Sequence, residues 1–243
     1  RCMDALNGSD SSSLEEAKTK ATASRIRNVG LTFETRPDWA REKHVDLMLS
    51  YGATRVEIGV QTLDDDILQL IERGHSTRDV VESFRIVKDS GLKVVAHMMP
   101  GLPGSSPEGD VEGFKRLVTD PALRPDMLKI YPCLVIRGTK IFDWWKNHTY
   151  TPLDTEAAAV LVARVKEVIP PWMRIMRVQR EIPARLILAG PKKGNLRERA
   201  LATLAARGRR CRCIRCREVG HRKMKDKIGP ALEEVRLVRT YYE

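Results

Sequence analysis

Along the chain, short apolar runs alternate with longer stretches of helical period. VGLTFE (29–34), RVEIGVQ (55–61), KVVAHMM (93–99) and MLKIYP (127–132) are short, rich in β-branched residues and bounded by turn formers, which predicts four strands. Between them, SLEEAKTKATASRIR (13–27), REKHVDLMLSYG (41–52) and STRDVVESFRIVKDSG (76–91) carry helical spacing and cap signals. Val45, Met48 and Leu49 share one face, as do Val80, Phe84 and Val87, and Gly52 and Gly91 mark stops. Helices are also predicted from about Glu108 to Val118 and from Thr155 to Val168. MRIMRVQ (173–179) reads as a further strand, NLRERALATLAARG (195–208) as a helix capped by Asn195, and RRCRCIRCREVGHRKMK (209–225) as a compact, loop-rich knot. Strands that are apolar nearly throughout, alternating with helices, define an α/β class with parallel pairing and outer helices. A barrel and a doubly wound sheet both satisfy that pattern.

A 42% apolar content over 243 residues is enough for a real core. No window approaches the apolar length a spanning helix needs, and RCMDALNGSD lacks a secretory leader pattern, so the expectation is a cytoplasmic protein with no membrane partner. The net charge of +11 is uneven: from Pro171 to Lys225 there are 17 Lys and Arg against three acidic residues. Such a block fits a polyanion, most often nucleic acid. Five cysteines, three of them within CRCIRC (211–216), argue against a secreted disulfide framework and for metal.

In a parallel α/β fold the carboxyl ends of the strands face the ligand crevice. Glu34 and Gln61 end the first two strands, His97 precedes the Pro100-Gly101-Leu102-Pro103-Gly104 turn of the third, and Tyr131 ends the fourth. Four chemistry-bearing strand ends in succession mark a site without naming its ligand. In the basic block, Cys211, Cys213, Cys216 and His221 follow C-x-C-x-x-C-x4-H, a set able to close a tetrahedral zinc shell. The rival reading is a redox-active cluster, its thiol pKa values lowered by the surrounding arginines.

LTFETRPD, RVEIGVQ, RGH, KVVAHMMPGLPG, LKIYPCLVIRGT, RVQREIP and PKKGNLRERAL, in this order, resemble the family of Elongator catalytic subunits, and the likeness covers nearly the whole chain. It implies a partial radical S-adenosylmethionine (SAM), TIM-like parallel barrel over 1–170, a basic zinc-binding linker over 171–230, and the start of an acetyltransferase domain over 231–243. It also implies carboxymethyl or acetyl modification at carbon 5 of the transfer RNA wobble uridine, using SAM, a 4Fe-4S cluster and acetyl-coenzyme A. Related radical enzymes of the coproporphyrinogen type share the elements that map onto Glu34, Gln61, Arg73 and Gly101 around SAM, and place an aspartate where this chain has His97. A carboxylate and an amide suit ribose hydroxyls, and a guanidinium suits the methionyl carboxylate. The alternative for Arg73 is an ion pair with Glu72 or Asp79.

The family's three-cysteine cluster motif lies upstream of the first strand here, and Cys2 and Cys133 do not replace it. The expectation is a piece of a longer enzyme, inactive by itself, with cluster ligands outside this stretch and no catalytic residue assigned within it. Lys192, Lys193, Arg197, Arg209, Arg210, Arg212 and Arg215 are the expected transfer RNA phosphate contacts. The assembly implied is a homodimer or an Elongator-type complex. The rival functions are a non-catalytic transfer RNA-binding module and a protein lysine acetyltransferase.

Overall fold

In the computed structural model, residues 1–227, 229, 231, 233 and 235–239 are described. Two N-terminal helices, α1 (Cys2–Asn7) and α2 (Leu14–Ala23), precede β1 (Thr32–Thr35). The chain continues through α3 (Glu42–Ser50), β2 (Arg55–Gln61), α4 (Asp65–Leu70), α5 (Thr77–Asp89), β3 (Lys93–Met98), α6 (Pro107–Thr119) and β4 (Met127–Ile130). Then come β5 (Val135–Ile136), α7 (Lys140–Lys146), α8 (Thr155–Val168), β6 (Arg174–Val178) and β7 (Ile187–Ala189). The described helices end with α9 (Leu196–Ala206), α10 (Ile214–Arg217) and α11 (Val219–Asp226). No helix among the described residues is long and apolar enough to cross a membrane.

Five strands make one parallel sheet in the order β1-β2-β3-β4-β6. The order never reverses, so the sheet winds in one direction as a barrel wall does, and the doubly wound alternative falls away. Alternation along each strand sorts the side chains. Val56, Ile58 and Val60 of β2, Val94, Ala96 and Met98 of β3, and Leu128 and Ile130 of β4 enter the core beneath the helices. The intervening positions, including Glu57, Gly59, Gln61, His97 and Lys129, therefore take the opposite face.

The capping residues behave as their chemistry dictates. Ser76 accepts from the Asp79 N–H, and the Asp79 carboxylate accepts from the Ser76 N–H in return, while Val80, Phe84 and Val87 are buried. The first strand begins at Thr32, later than predicted. Thr54 ties up Leu31 instead, its N–H donating to the Leu31 carbonyl at 2.9 Å, and Val29 is left exposed. Asn195 stands at the N-terminus of α9 without a capping bond, because its Oδ1 accepts from Arg199 Nε at 3.2 Å. The predicted knot holds two short helices, and β5 and β7 form a small antiparallel pair with α7 nearby, none of which the apolar pattern announced.

The parallel sheet runs past position 170, since β6 pairs with β4. Leu196, Ala200, Leu204, Cys211 and Cys213 belong to the same apolar core as the strands. The boundary expected near 170 thus coincides with no break in packing. Of the stretch 231–243 expected to open an acetyltransferase domain, residues 232, 234 and 240–243 lie outside the described residues.

Candidate active-site crevice and cysteine knot

Gln61 ends β2 in a left-handed conformation, φ +69°, and its carbonyl accepts from the Met99 N–H at 2.7 Å, tying the β2 end to the β3 end. Two residues earlier, Gly59 lets two side chains close over the strand: a Cβ there would lie 2.6 Å from Arg73 Nη2 and 2.8 Å from Gln61 Nε2, which occupy that space. Arg73 Nη2 donates to the Gly59 carbonyl at 3.3 Å, and its buried Nε has no hydrogen-bond partner. The alternative pairing is absent, because Asp79 is held by Arg41 and Ser76 and Glu72 by Lys140. Burial, followed by the charge of Arg36, pulls the Arg73 pKa down. Arg36 is itself fixed by Asp38, with Nε to Oδ1 at 3.0 Å. A half-buried guanidinium with an unused donor beside a second guanidinium favours an anion. The Gln61 amide and the orphaned Arg73 donor, brought together over Gly59, suit an anionic, hydroxyl-bearing ligand.

Glu34, Glu57, His97 and Lys129 form a row across β1 to β4 on the face turned away from the helices, Glu34 opposite Glu57 and His97 opposite Lys129. Glu57 and His97 are buried, whereas the Glu34 side chain is 61% exposed. His97 Nε2 meets Glu57 Oε2 at 2.8 Å, Lys129 Nζ pairs with the same oxygen, and His97 Nδ1 lies 3.5 Å from Glu34 Oε1. Burial raises the Glu57 pKa, but His97 and Lys129 outweigh it and hold the carboxyl at about 2. Tyr131 packs edge-on to His97 with centroids 5.4 Å apart, and Arg180 caps the Tyr131 ring at 5.0 Å.

Gly101, φ +77°, is pinned from two elements. Its N–H donates to Asp110 Oδ2 at 2.7 Å and its carbonyl accepts from the Tyr150 hydroxyl at 2.6 Å. A Cβ there would lie 2.8 Å from Leu153 Cδ1. Burial lifts the Asp110 pKa to about 6 against the pull of the Gly101 N–H and Ser105. A cleft of about 240 Å³ borders this turn.

At the other end of the sheet, the Cys211, Cys213 and Cys216 sulfurs lie within 4.8 Å of one another. The Ile214 N–H donates to the carbonyl of Met173, the residue before β6 begins, which anchors the knot at the amino edge. His221 is not with the trio: it faces Glu218, Nε2 to Oε2 3.7 Å. Lys166 of α8, fully buried, brings Nζ to 3.8 Å from Cys216 Sγ. Thiol hydrogen bonds shared among the three sulfurs push the Cys211 pKa up and pull that of Cys213 down.

The expected phosphate contacts divide. Arg197 turns inward, with Nη2 donating to the Ile175 carbonyl at 3.1 Å and Nη1 buried without a partner. Burial, then Arg215, lowers its pKa. Arg209, Arg210, Arg212, Arg215 and His221 line a cleft of about 780 Å³ over the knot. Lys192 and Lys193 are exposed elsewhere: Gln179, just past β6, donates from Nε2 to the Pro191 carbonyl at 2.9 Å and holds their loop at the crevice end.

The sequence reading missed Glu57, Lys129, Asp110 and Lys166. A signal existed for three of them, a charged residue inside an otherwise apolar strand or helix: RVEIGVQ, MLKIY and AAAVLVARVKEV. Asp110 carried none.

A parallel sheet wound in one direction with its donors at the strand ends defines a barrel-type α/β class of protein, and the comparisons narrow that class to radical SAM proteins. The Radical SAM superfamily profile matches residues 8–117 and the Radical_SAM C-terminal domain profile residues 125–205. The tRNA uridine(34) acetyltransferase of Methanocaldococcus infernus is 49% identical over 243 residues, all of this chain and 46% of that protein. Human Elongator complex protein 3 is 46% identical over 239 residues, 98% of this chain and 43% of that protein. The solved structure of archaeal Methanocaldococcus infernus Elp3 with an N-terminal deletion superimposes with a TM-score of 0.97 at 48% identity, covering 100% of this chain and 57% of that one. The chain is homologous along its length to proteins named tRNA uridine(34) acetyltransferase and Elongator complex protein 3, and it spans about half the length of the curated relatives it matches.

Proposed function

We propose that this chain is the SAM- and transfer RNA-handling portion of an enzyme that modifies carbon 5 of the wobble uridine, with acetyl-coenzyme A as the second substrate. The observation that carries the proposal is the Gly59–Gln61–Arg73 cradle with its orphaned donor, in a chain nearly half identical to proteins named tRNA uridine(34) acetyltransferase. Arg73 would hold the methionyl carboxylate, Glu34 and Gln61 the ribose hydroxyls, His97 the nucleoside edge, and the Gly101 turn would approach with its backbone. Bound SAM, together with an iron–sulfur cluster, supplies hydrogen abstraction at carbon. The cysteines of this stretch do not fit that cluster. Cys133 is buried in the second apolar cluster, neither it nor Cys2 belongs to a group of three metal-ligating residues among the described residues, and the trio sits at the wrong end of the sheet. Cluster ligands are therefore assigned outside it.

The trio is assigned to structural zinc. Three thiolates and a divalent ion leave one negative charge, which the buried ammonium of Lys166 offsets, and a buried lysine needs such a partner. The zinc would staple α10 to the amino edge of the sheet and take no part in the chemistry. Lys192, Lys193 and the arginine cleft would hold transfer RNA phosphates in a cytoplasmic enzyme working as a homodimer or within an Elongator-type complex. Anaerobic SAM binding and transfer RNA-stimulated SAM cleavage by the full-length protein, with Arg73→Met alongside, test the proposal. Cleavage lost in the variant supports it. Transfer RNA binding without SAM binding in the wild type would leave a binding module.

A further inference from the structure

Glu57 and Lys129 are charged, buried and given no task by the reading above. A carboxylate taken out of water persists only when compensated, and Glu57, 5% exposed, receives both Lys129 Nζ and His97 Nε2 on one oxygen. A carboxylate oxygen only accepts, so the hydrogen between Glu57 and His97 belongs to the ring at Nε2. Lys129 already offsets the Glu57 charge and Glu34 is solvated, so the ring is not required as a cation, and in the neutral imidazole Nδ1 is then an acceptor.

That nitrogen lies 3.5 Å from Glu34 Oε1, a second acceptor. Two acceptors do not bond one another; between them they mark a place for a donor. Glu34 has no other hydrogen-bond partner among the described residues, and its exposure opens the edge to the crevice. The ring is held against rotation by Glu57 on one side and by the edge-on Tyr131 on the other, with Arg180 over the tyrosine face.

We infer that Glu57 and Lys129 are positioning residues that fix His97 as its Nε2–H tautomer, so that Nδ1 and Glu34 together accept hydrogen bonds from a hydroxyl-bearing nucleoside ligand. Lys129 keeps Glu57 ionised, Glu57 fixes the ring hydrogen, and the ring presents a lone pair. A ligand with an acceptor or a methyl group at this edge is rejected, because it leaves two acceptors facing one more apolar or acceptor group. The identity of the ligand as SAM rests on the proposed function; the tautomer does not.

The test uses full-length protein labelled with 15N-histidine, with His97→Gln to assign the resonance, and two-bond proton–nitrogen correlation at neutral pH. The expected result is a hydrogen on Nε2 and none on Nδ1. In Glu57→Gln the amide can donate as well as accept, so Nε2–H loses its preference and SAM affinity by equilibrium dialysis falls about tenfold, the size of one hydrogen bond. Lys129→Arg keeps both tautomer and affinity. A wild-type ring carrying hydrogen on Nδ1, or a Glu57→Gln protein with unchanged tautomer and affinity, overturns the inference. The tautomer needs no ligand, so wild-type protein that fails to bind SAM sinks the cofactor reading and leaves the tautomer to decide this one.

Discussion

Replacing Asp110 by asparagine should make the protein more stable at neutral pH and leave it nearly unchanged in mild acid. The Asp110 carboxyl is largely buried beneath the Gly101 turn, and burial raises its pKa from the ordinary 3.8 to about 6. A raised carboxyl pKa means the native state binds the proton more tightly than the unfolded chain. Its contribution is therefore fully present below the unfolded pKa and lost as pH rises through the folded one. Between pH 4 and 6 the loss runs at about 1.4 kcal/mol per unit, giving on the order of 3 kcal/mol in all. Asparagine keeps an acceptor for the Gly101 N–H, found at 2.7 Å in the wild type, and never ionises. Urea unfolding of both proteins from pH 4 to 8 measures the difference, which should open across pH 4 to 6 and then stay level. A difference flat over the whole range would mean that Asp110 is solvated and that its tie to Gly101 is not what holds the turn.

Glu57 acts in a different window: held at about 2 against an unfolded value of 4.5, it stabilises above pH 4.5 and loses that stabilisation as pH falls toward 2. Glu57→Gln should flatten the acid limb of the unfolding curve, and an unaltered limb would count against the Lys129 pair. Cys213→Ser should lower bound zinc from about one equivalent to near none and reduce the thermal midpoint; unchanged zinc and midpoint would remove the zinc assignment. Charge reversal at Lys192 and Lys193 should weaken transfer RNA binding and flatten the logarithmic salt slope by about two, and an unaltered slope would place the phosphates elsewhere. Gly101→Ala meets both a left-handed φ and Leu153, and should cost about 1–3 kcal/mol with weaker SAM binding, read by calorimetry.

The centre of the fold was most legible because β2 and β3, parallel strands buried on both faces, read as apolar runs bounded by turn formers. RVEIGVQ matches β2 residue for residue, and KVVAHMM overruns β3 by one residue, Met99. β5, two residues long, and α7, with no buried residue, lack any periodicity to read. Gln61 and the Gly101 turn stood out because turns and strand ends are where chemistry collects, whereas Arg73 came only from the family resemblance. Partnerships were less visible. Glu57 meets Lys129 72 positions away and Lys166 meets Cys216 50 away, and no local pattern encodes such pairs. The zinc spacing pointed to His221, yet the helical fold of 219–226 turns that ring to Glu218 while a lysine from α8 fills the vicinity of the thiols.

The split of the basic block between the two ends of β6 bears on how a large polyanion would lie. Arg209, Arg210, Arg212 and Arg215 gather over the cysteine knot at the amino edge, whereas Gln179 fixes the Lys192–Lys193 loop just beyond the carboxyl end. A five-residue strand separates them by about 17 Å, about five nucleotide steps along one strand of a duplex and well within the reach of one folded RNA. A ligand held at both ends would cross the sheet edge at β6, and the lysine end would bring it toward Arg180, which stacks over Tyr131 beside His97. The cysteine knot would then matter to chemistry only by geometry. It holds the arginine cleft at a fixed distance from the crevice, so loss of zinc should weaken transfer RNA binding while leaving SAM affinity intact. Equal loss of both would show that the knot supports the whole sheet instead.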